Sequence, residues 1–202
     1  MACGIVFEDD FIIVADKPAG LLTVPTPKNE KTTLSSLLKA FPAHRLDRET
    51  SGLIVLAKTR KIRDILAEEF RKRGVKKRYL AFVQGKLTAK DGVIDRNVQD
   101  NPYEPAKSAI TRYRVLESRK GFSVVEVIPL TGRTNQIRIH FKQIGHPLVG
   151  ERRFAFAKDF VLKFRRAALH SASLEFRHPQ TGELMSFHSD LPPDMREFLE
   201  KN

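Results

Sequence analysis

The segment HRLDRETSGLIVLAKT, residues 44–59, joins two different kinds of sequence. Its second half contains SGLIVLA, an unbroken run of small and apolar residues that is typical of a strand buried on both faces. Just before this strand, one acidic side chain, Asp47, stands between the basic side chains of Arg45 and Arg48. The segment therefore predicts a buried strand preceded by a charged turn.

The sequence on either side predicts further strands and helices. GIVFEDDFIIVADKPAG predicts two strands joined by a turn at residues 8–10. Strands are also predicted in KKRYLAFVQG, KSAITRYRVLESR, GFSVVEVIPL, ALHSASLEFRHP and ELMSFH. Apolar spacing and caps predict four helices: one with Leu34, Leu37, Leu38 and Phe41, ending before Pro42; one capped by Thr59, with Ile62, Ile65, Leu66 and Phe70; one capped by Thr134 or Asn135, with Ile137, Phe141 and Ile144; and one starting near Pro193.

These elements alternate without a linker, a repeat or a low-complexity tract. We therefore expect residues 1–202 to form a single domain. The mixture of strands and helices predicts an α+β fold, with a mixed, mainly antiparallel sheet flanked by helices.

Composition limits the possible partners and compartments. The 202 residues include 36 Lys and Arg against 24 Asp and Glu, a net charge of +12, which favours a polyanionic partner and nucleic acid first. The single cysteine, Cys3, excludes an internal disulfide, and the six histidines lack the spacing of metal ligands. No apolar run approaches the roughly 20 residues needed to cross a bilayer, and no signal-peptide pattern is present. We expect a cytoplasmic protein without a metal ion.

Two motifs contain residues that could carry chemistry. Asp47 can act as a nucleophile or a base, or it can be an ordinary turn aspartate paired with a neighbouring arginine. In PLTGRTNQIRIHF, Arg133 and Arg138 can each hold a phosphate or a carboxylate bidentately, or they can be solvated surface residues. Because Arg138 follows Ile137 in a helix with an apolar face, partial burial is expected, and a buried arginine needs an anion such as Asp47.

A third candidate is the basic, aromatic strand that contains Tyr79. Its ring lies among Lys76, Lys77 and Arg78, a combination that suits stacking on an unpaired base while cations hold the backbone. Tyrosines in strands also pack against the core, and basic clusters such as residues 58–78 also form solvated faces. The pattern alone leaves both interpretations open.

Together these segments resemble the RluA family of pseudouridine synthases over almost the whole chain. The likeness is carried by ADKPAGLLTVP, HRLDRETSGLIVLAKT, KKRYLAFVQGKL and GRTNQIRIHF, followed by IGHPLVG and RRAALHSASLEFRHPQTG. The spacing of HRLD-x-x-TSG and GRT-x-Q-I-R is highly specific. One departure follows HPLVG, where the family often has an aspartate and then a Tyr-Gly pair, whereas this chain has Glu151 and Phe154.

The resemblance implies an RNA pseudouridine synthase core with a central active-site cleft. Asp47 would be the catalytic aspartate, Tyr79 would pack on the target base, Arg138 would pair with Asp47, and Leu169 would line the site. The substrate would be a specific uridine of structured ribosomal or transfer RNA, and the RNA backbone would be held by further cations: Arg45, Arg133, Lys76 and Lys77. Isomerisation has no net redox change and no group donor, so no cofactor is expected.

Two other functions compete with this interpretation. A non-catalytic RNA-binding protein explains the charge and Tyr79, but not an aspartate within a basic surface. A hydrolytic glycosidase needs two carboxylates, and only Glu49 is near Asp47. We expect a monomeric enzyme.

Overall fold

The computed structural model describes residues 3–28, 30–155 and 162–202. The described part of the chain contains ten strands and four helices: β1 (Gly4–Glu8), β2 (Ile12–Lys17), α1 (Leu34–Leu38), β3 (Phe41–Pro42), β4 (Ser51–Ala57), α2 (Arg60–Arg71), β5 (Lys76–Gln84), β6 (Asp91–Asp95), β7 (Ile110–Arg119), β8 (Phe122–Pro129), α3 (Gln136–Gln143), β9 (Leu169–Arg177), β10 (Leu184–His188) and α4 (Pro193–Lys201). Mostly antiparallel strands flanked by helices make an α+β fold, which confirms the predicted class.

The chain divides into two compact units. The first comprises Met1–Lys77 and Ser171–Asp190, and the second comprises Arg78–His170 and Leu191–Asn202. Each unit has its own hydrophobic cluster. That residues 1–202 act as a single domain remains a prediction.

The first unit is built on the hairpin β1–β2 and on β4. The predicted turn at residues 8–10 is confirmed, and the Asp9 carboxylate accepts the N–H groups of Phe11 and Ile12, each at 2.8 Å. Strand β4 pairs antiparallel with β2, and all seven of its residues are buried, as its apolar run predicts. Its buried side chains pack with those of β2, α2 and β9 in one cluster.

Helix α2 begins where the sequence predicts. The Thr59 hydroxyl accepts the N–H of Ile62 at 3.3 Å, which satisfies one of the unpaired donors of the first turn. Ile62 and Leu66 are buried, whereas Ile65 is exposed, so the apolar face is narrower than predicted. Helix α1 is shorter than predicted because Lys39, at φ 50°, ends it in the left-handed region; Phe41 therefore lies in β3, opposite Ala57.

The second unit contains four strands in the order β5–β8–β7–β6, and each neighbouring pair is antiparallel. Strand β6, DGVID, was not predicted. Helix α3 begins after Asn135, as expected, but the side chain of Asn135 makes no capping hydrogen bond. Helix α4 begins at Pro193, as predicted, and its Phe198 ring packs against Phe82 and Phe122.

Candidate active site

Asp47 lies in a loop of the first unit whose backbone is fixed on both sides. The hydroxyl of Thr23 donates to the carbonyl of Leu46 at 2.8 Å and accepts the N–H of Leu46 at 3.2 Å. After Asp47, the carbonyl of Arg48 accepts the N–H of Gly20 at 2.7 Å. The loop then turns, because the N–H of Thr50 donates to the Asp47 carbonyl at 3.1 Å. The half-buried carboxylate therefore stands on an ordered backbone before β4 begins.

A buried lysine reinforces this loop. The side chain of Lys17 is fully buried, and its Nζ donates to the carbonyl oxygens of Pro18 at 3.0 Å, Leu21 at 2.8 Å and Arg48 at 3.4 Å. A buried ammonium group requires such partners. Lys17 thus ties the Pro18–Leu21 turn to the residue that follows Asp47, a role that sequence reasoning missed. The signal available was a lysine that ends the buried run IIVADK.

His44, at the start of the motif, is a neutral structural residue. Its ring stacks on Phe70 with centroids 4.3 Å apart, and its Nε2 accepts the N–H of Val55 at 3.2 Å. Burial of the ring, with the positive charge of Lys77 added, lowers the pKa of His44 to about 3. An accepting Nε2 assigns the proton to Nδ1. His44 therefore anchors the loop to β4 without carrying charge at neutral pH.

In the second unit, Arg138 on α3 forms a buried bidentate pair with Glu151. Arg138 Nε donates to Glu151 Oε2 at 2.6 Å and Nη2 donates to Oε1 at 2.7 Å, while the two side chains are only 8% and 0% exposed. Arg138 Nη1 also donates to Asn135 Oδ1 at 2.9 Å. Burial by itself raises the pKa of Glu151, but the hydrogen bonds and charge of Arg138 outweigh it and hold that pKa below its ordinary value.

The segment that departs from the family pattern encloses this pair. Glu151 Oε1 accepts the backbone N–H groups of Arg153 at 2.8 Å and Phe154 at 3.2 Å, and the Phe154 ring centroid lies 5.2 Å from the Arg138 guanidinium carbon. On the other side, Asn135 Nδ2 donates to Asp100 Oδ1 at 2.7 Å. Arg138 is therefore held from several directions.

The predicted pairing of Arg138 with Asp47 remains a prediction. Asp47 belongs to the first unit and Arg138 to the second. Sequence reasoning expected a buried arginine at this position and an anion to match it, and the anion within its own unit is Glu151.

Tyr79 and Leu169 are both buried, and their roles in the site stay predictions. Tyr79 lies on β5 opposite Val127, and Leu169 begins β9. The Leu169 carbonyl accepts from Arg166 Nη1 at 3.1 Å, and Arg166 is itself fixed by a bidentate pair with Asp194 on α4. This buried arginine, missed from the sequence, orders the backbone at Leu169.

The four cations predicted to hold RNA have different surroundings. Arg45 and Arg133 are exposed, and Arg133 Nε donates to the Ser108 carbonyl at 3.1 Å. Lys76 Nζ pairs with Glu175 at 2.6 Å. Lys77 Nζ lies 5.6 Å from the Phe70 ring centroid, and burial lowers its pKa. Their contact with RNA stays a prediction.

Metal-binding clusters and membrane-spanning helices are both absent from the described residues. Within residues 3–28, 30–155 and 162–202, no cluster of three or more His, Cys, Asp or Glu side chains could hold a metal ion. No helix in the described part of the chain has the length and apolar character to cross a membrane.

Comparison with known proteins places the chain in a family. The RNA pseudouridylate synthase family model matches residues 11–143. The ribosomal large subunit pseudouridine synthase D of Nitrosomonas europaea is 39% identical over 97% of this chain, which spans 64% of that relative. The dual-specificity RNA pseudouridine synthase RluA of Yersinia pestis is 36% identical over 91% of this chain and 96% of its own length. The solved structure of human RNA pseudouridylate synthase domain containing 4 has a TM-score of 0.82 at 23% identity, covering 98% of this chain and 92% of its own.

The chain therefore belongs to the RNA pseudouridylate synthase family. Within that family it is an RluA-type member, as the sequence motifs predict.

Proposed function

We propose that this protein is an RNA pseudouridine synthase that converts specific uridines of ribosomal RNA to pseudouridine, with Asp47 as the catalytic group. The observation that carries the proposal is the ordered loop that presents Asp47. Thr23, Gly20 and Lys17 bind the backbone on either side of this residue, which is what a reaction that needs a fixed carboxylate requires. The names of the matched relatives support the ribosomal substrate; transfer RNA stays the second substrate predicted from the sequence.

The reaction moves the uracil from a nitrogen–carbon bond to a carbon–carbon bond with the same sugar carbon. Of the possible roles of Asp47, we favour the glycal route that the family resemblance implies: the carboxylate removes a proton from the neighbouring sugar carbon as the glycosidic bond breaks. The detached uracil turns, its ring carbon five joins the sugar, and the proton returns to the neighbouring sugar carbon. Ring carbon five then loses its own proton, and the ring nitrogen freed from the sugar gains one, so atoms and electrons balance without a cofactor.

The buried residues have separate tasks in this proposal. Tyr79 packs on the base, and its hydroxyl takes part in removing the last proton. Leu169 keeps water from the detached base. Arg138 pairs with Asp47 and orients it. The target nucleotide must leave its stack, and exposed cations such as Arg45 and Arg133 hold the flanking phosphates.

The product of the reaction distinguishes this function from its two competitors. Purified protein is incubated with unmodified ribosomal RNA transcribed in vitro and, in a parallel reaction, with transfer RNA; nucleosides and free bases are then quantified. We expect pseudouridine to form at defined positions. Free uracil would indicate a hydrolase, and unchanged RNA that nevertheless binds would indicate a non-catalytic RNA-binding protein; either result contradicts the proposal. Pseudouridine maps of cells with and without the gene then identify the uridine.

A further inference from the structure

The loop between β6 and β7 carries Tyr103, the most exposed large hydrophobic side chain in the described part of the chain. Tyr103 is 94% exposed. The chain has three tyrosines, and the other two are packed: Tyr79 is buried in β5, and Tyr113 contacts the Phe141 ring at 5.6 Å between centroids. Because an aromatic ring gains stability by burial, a ring left almost entirely in water is a candidate contact for a partner.

The loop around Tyr103 is ordered by its own hydrogen bonds. Asn101 accepts the N–H of Tyr103 on its side-chain oxygen at 3.1 Å and the N–H of Glu104 on its carbonyl at 3.1 Å. Gln99 Nε2 donates to the Glu104 carbonyl at 2.8 Å, and Lys107 pairs with the Glu104 carboxylate at 2.9 Å. A ring presented by an ordered turn loses little conformational entropy when it binds.

The base of the same loop is bound to the residues around Arg138. Asp100 accepts from Asn135 at 2.7 Å and pairs with Arg153 at 3.0 Å, and both of these residues contact the Arg138–Glu151 pair. At the other end of the loop, the Ser108 carbonyl accepts from Arg133. The loop that carries Tyr103 is thus bound at its base to residues that contact the Arg138–Glu151 pair.

The chemistry around Tyr103 favours RNA over a protein surface. The residues next to it in the chain are Pro102 and Glu104, so it is not the centre of an apolar patch of the kind that protein interfaces bury. The acidic side chains Asp100 and Glu104 are neutralised by Arg153 and Lys107. The exposed cation that remains is Arg133, which contacts the end of the loop at Ser108. An exposed ring on a loop whose base contacts such a cation can stack on an unpaired base while the cation holds the backbone.

We propose that Tyr103 stacks on an unpaired base of the RNA substrate, outside the nucleotide that reacts, while Arg133 at the base of the loop binds the backbone. This inference rests on the proposed function, because it takes RNA as the substrate. It adds a substrate-binding residue that affects affinity and not the chemical step.

A fluorescence experiment tests stacking without using catalysis. Since the chain contains no tryptophan, Tyr103→Trp introduces a unique fluorophore that retains an aromatic face. We expect its emission to be quenched as substrate RNA binds, with binding followed separately by anisotropy of labelled RNA. The matched control is Leu184→Trp, at a side chain that is 62% exposed, where emission should not change. RNA binding without a change in Tyr103→Trp emission would overturn the proposal.

Single-turnover kinetics test the energetic role. Tyr103→Ser should raise the RNA concentration for half-maximal rate by about 5-fold to 150-fold, the equivalent of about 1–3 kcal/mol for one stacked base. Tyr103→Phe should keep a half-maximal RNA concentration near that of wild type. In both Tyr103 variants the rate at saturating RNA should not change. The salt dependence of RNA binding should fall for Arg133→Ala but not for Tyr103→Ser. Wild-type affinity in Tyr103→Ser would overturn the proposal.

The two experiments separate this inference from the proposed function. An inert wild-type protein whose Tyr103→Trp variant is still quenched by RNA would end the proposed function and keep the stacking contact. If wild type forms pseudouridine but the Tyr103 variants show neither quenching nor a change in RNA affinity, the proposed function stands and the stacking contact is overturned. A Tyr103→Ser defect seen only on ribosomal particles, and absent on naked RNA, would assign the ring to a protein surface and also overturn the proposal.

Discussion

Replacing Glu151 by glutamine should destabilise the protein strongly, because it removes the charge that neutralises buried Arg138. The two charge-assisted hydrogen bonds, at 2.6 and 2.7 Å, join side chains with almost no exposure. Glutamine has nearly the same shape, but its amide N–H₂ would face donors of Arg138 or of the backbone. Breaking a buried pair in this way costs about 3–5 kcal/mol. For a chain of this size, each kcal/mol lowers the midpoint of thermal unfolding by about 2–4 °C, so that midpoint should fall by about 6–20 °C.

Calorimetry of three variants checks this magnitude. Glu151→Asp keeps the charge and should lose less than Glu151→Gln. The control is Asp91→Asn, which removes an exposed pair with Arg114 and should cost less than about 1 kcal/mol. A decrease of less than about 1 kcal/mol in the free energy of unfolding for Glu151→Gln would refute the reasoning that each buried charge of the pair needs the other.

The same pair gives a pH dependence with a defined sign. The pKa of Glu151 is lower in the folded protein than its ordinary value of about 4.3. The contribution of ionised Glu151 to the free energy of unfolding is therefore fully present above that ordinary pKa and is lost as the pH falls through the pKa of the folded state. The stability difference between wild type and Glu151→Gln should be constant near neutral pH and shrink below about pH 4.

Three further predictions concern the candidate site and its cations. Because the pKa of His44 is lowered to about 3, its ring proton resonances should not titrate between about pH 8 and pH 5 in NMR spectra, and a midpoint near pH 6.5 would contradict its neutral state. Lys76→Ala should reduce the salt slope of RNA binding by about 0.7–0.9. Lys77→Ala should reduce it less, because the Lys77 amine lies against Phe70. Equal slopes in both variants and in wild type would place these lysines outside the interface. Tyr79→Phe should keep RNA affinity but slow turnover severely in single-turnover assays, whereas full activity would leave the ring only a packing role.

Local patterns predicted most of the fold, and the errors occurred where a strand forms by pairing with another strand or where the backbone leaves the helical conformation early. Thr59 predicted the start of α2 and the run SGLIVLA predicted β4, because a capping residue and a buried strand are both visible as local sequence patterns. Strand β6 was missed because its short, polar sequence gains its structure by pairing with β7. Phe41 fits the helical spacing of α1, yet the left-handed Lys39 ends the helix first.

The candidate site was predictable in part for the same reason. Asp47 and Arg138 stand in dense motifs, so the sequence selected them as candidates, and the burial of Arg138, expected from its apolar neighbours, is confirmed. Glu151 appeared only as a departure from the family pattern, since its pairing depends on how the loop after α3 folds back. Lys17 resembles any lysine at the end of a strand, and only the folded loop shows that its ammonium group is surrounded by carbonyl oxygens.

The catalytic role of Asp47 is the central claim, and one comparison tests it most directly. Wild type, Asp47→Asn and the neighbouring Glu49→Gln are each incubated with saturating substrate RNA, and pseudouridine is measured in a single turnover. Because asparagine keeps the size but cannot act as a nucleophile or an effective base, Asp47→Asn should bind RNA as well as wild type or better and form no pseudouridine. Glu49→Gln should remain active. Measurable turnover by a pure, folded Asp47→Asn protein would contradict the account.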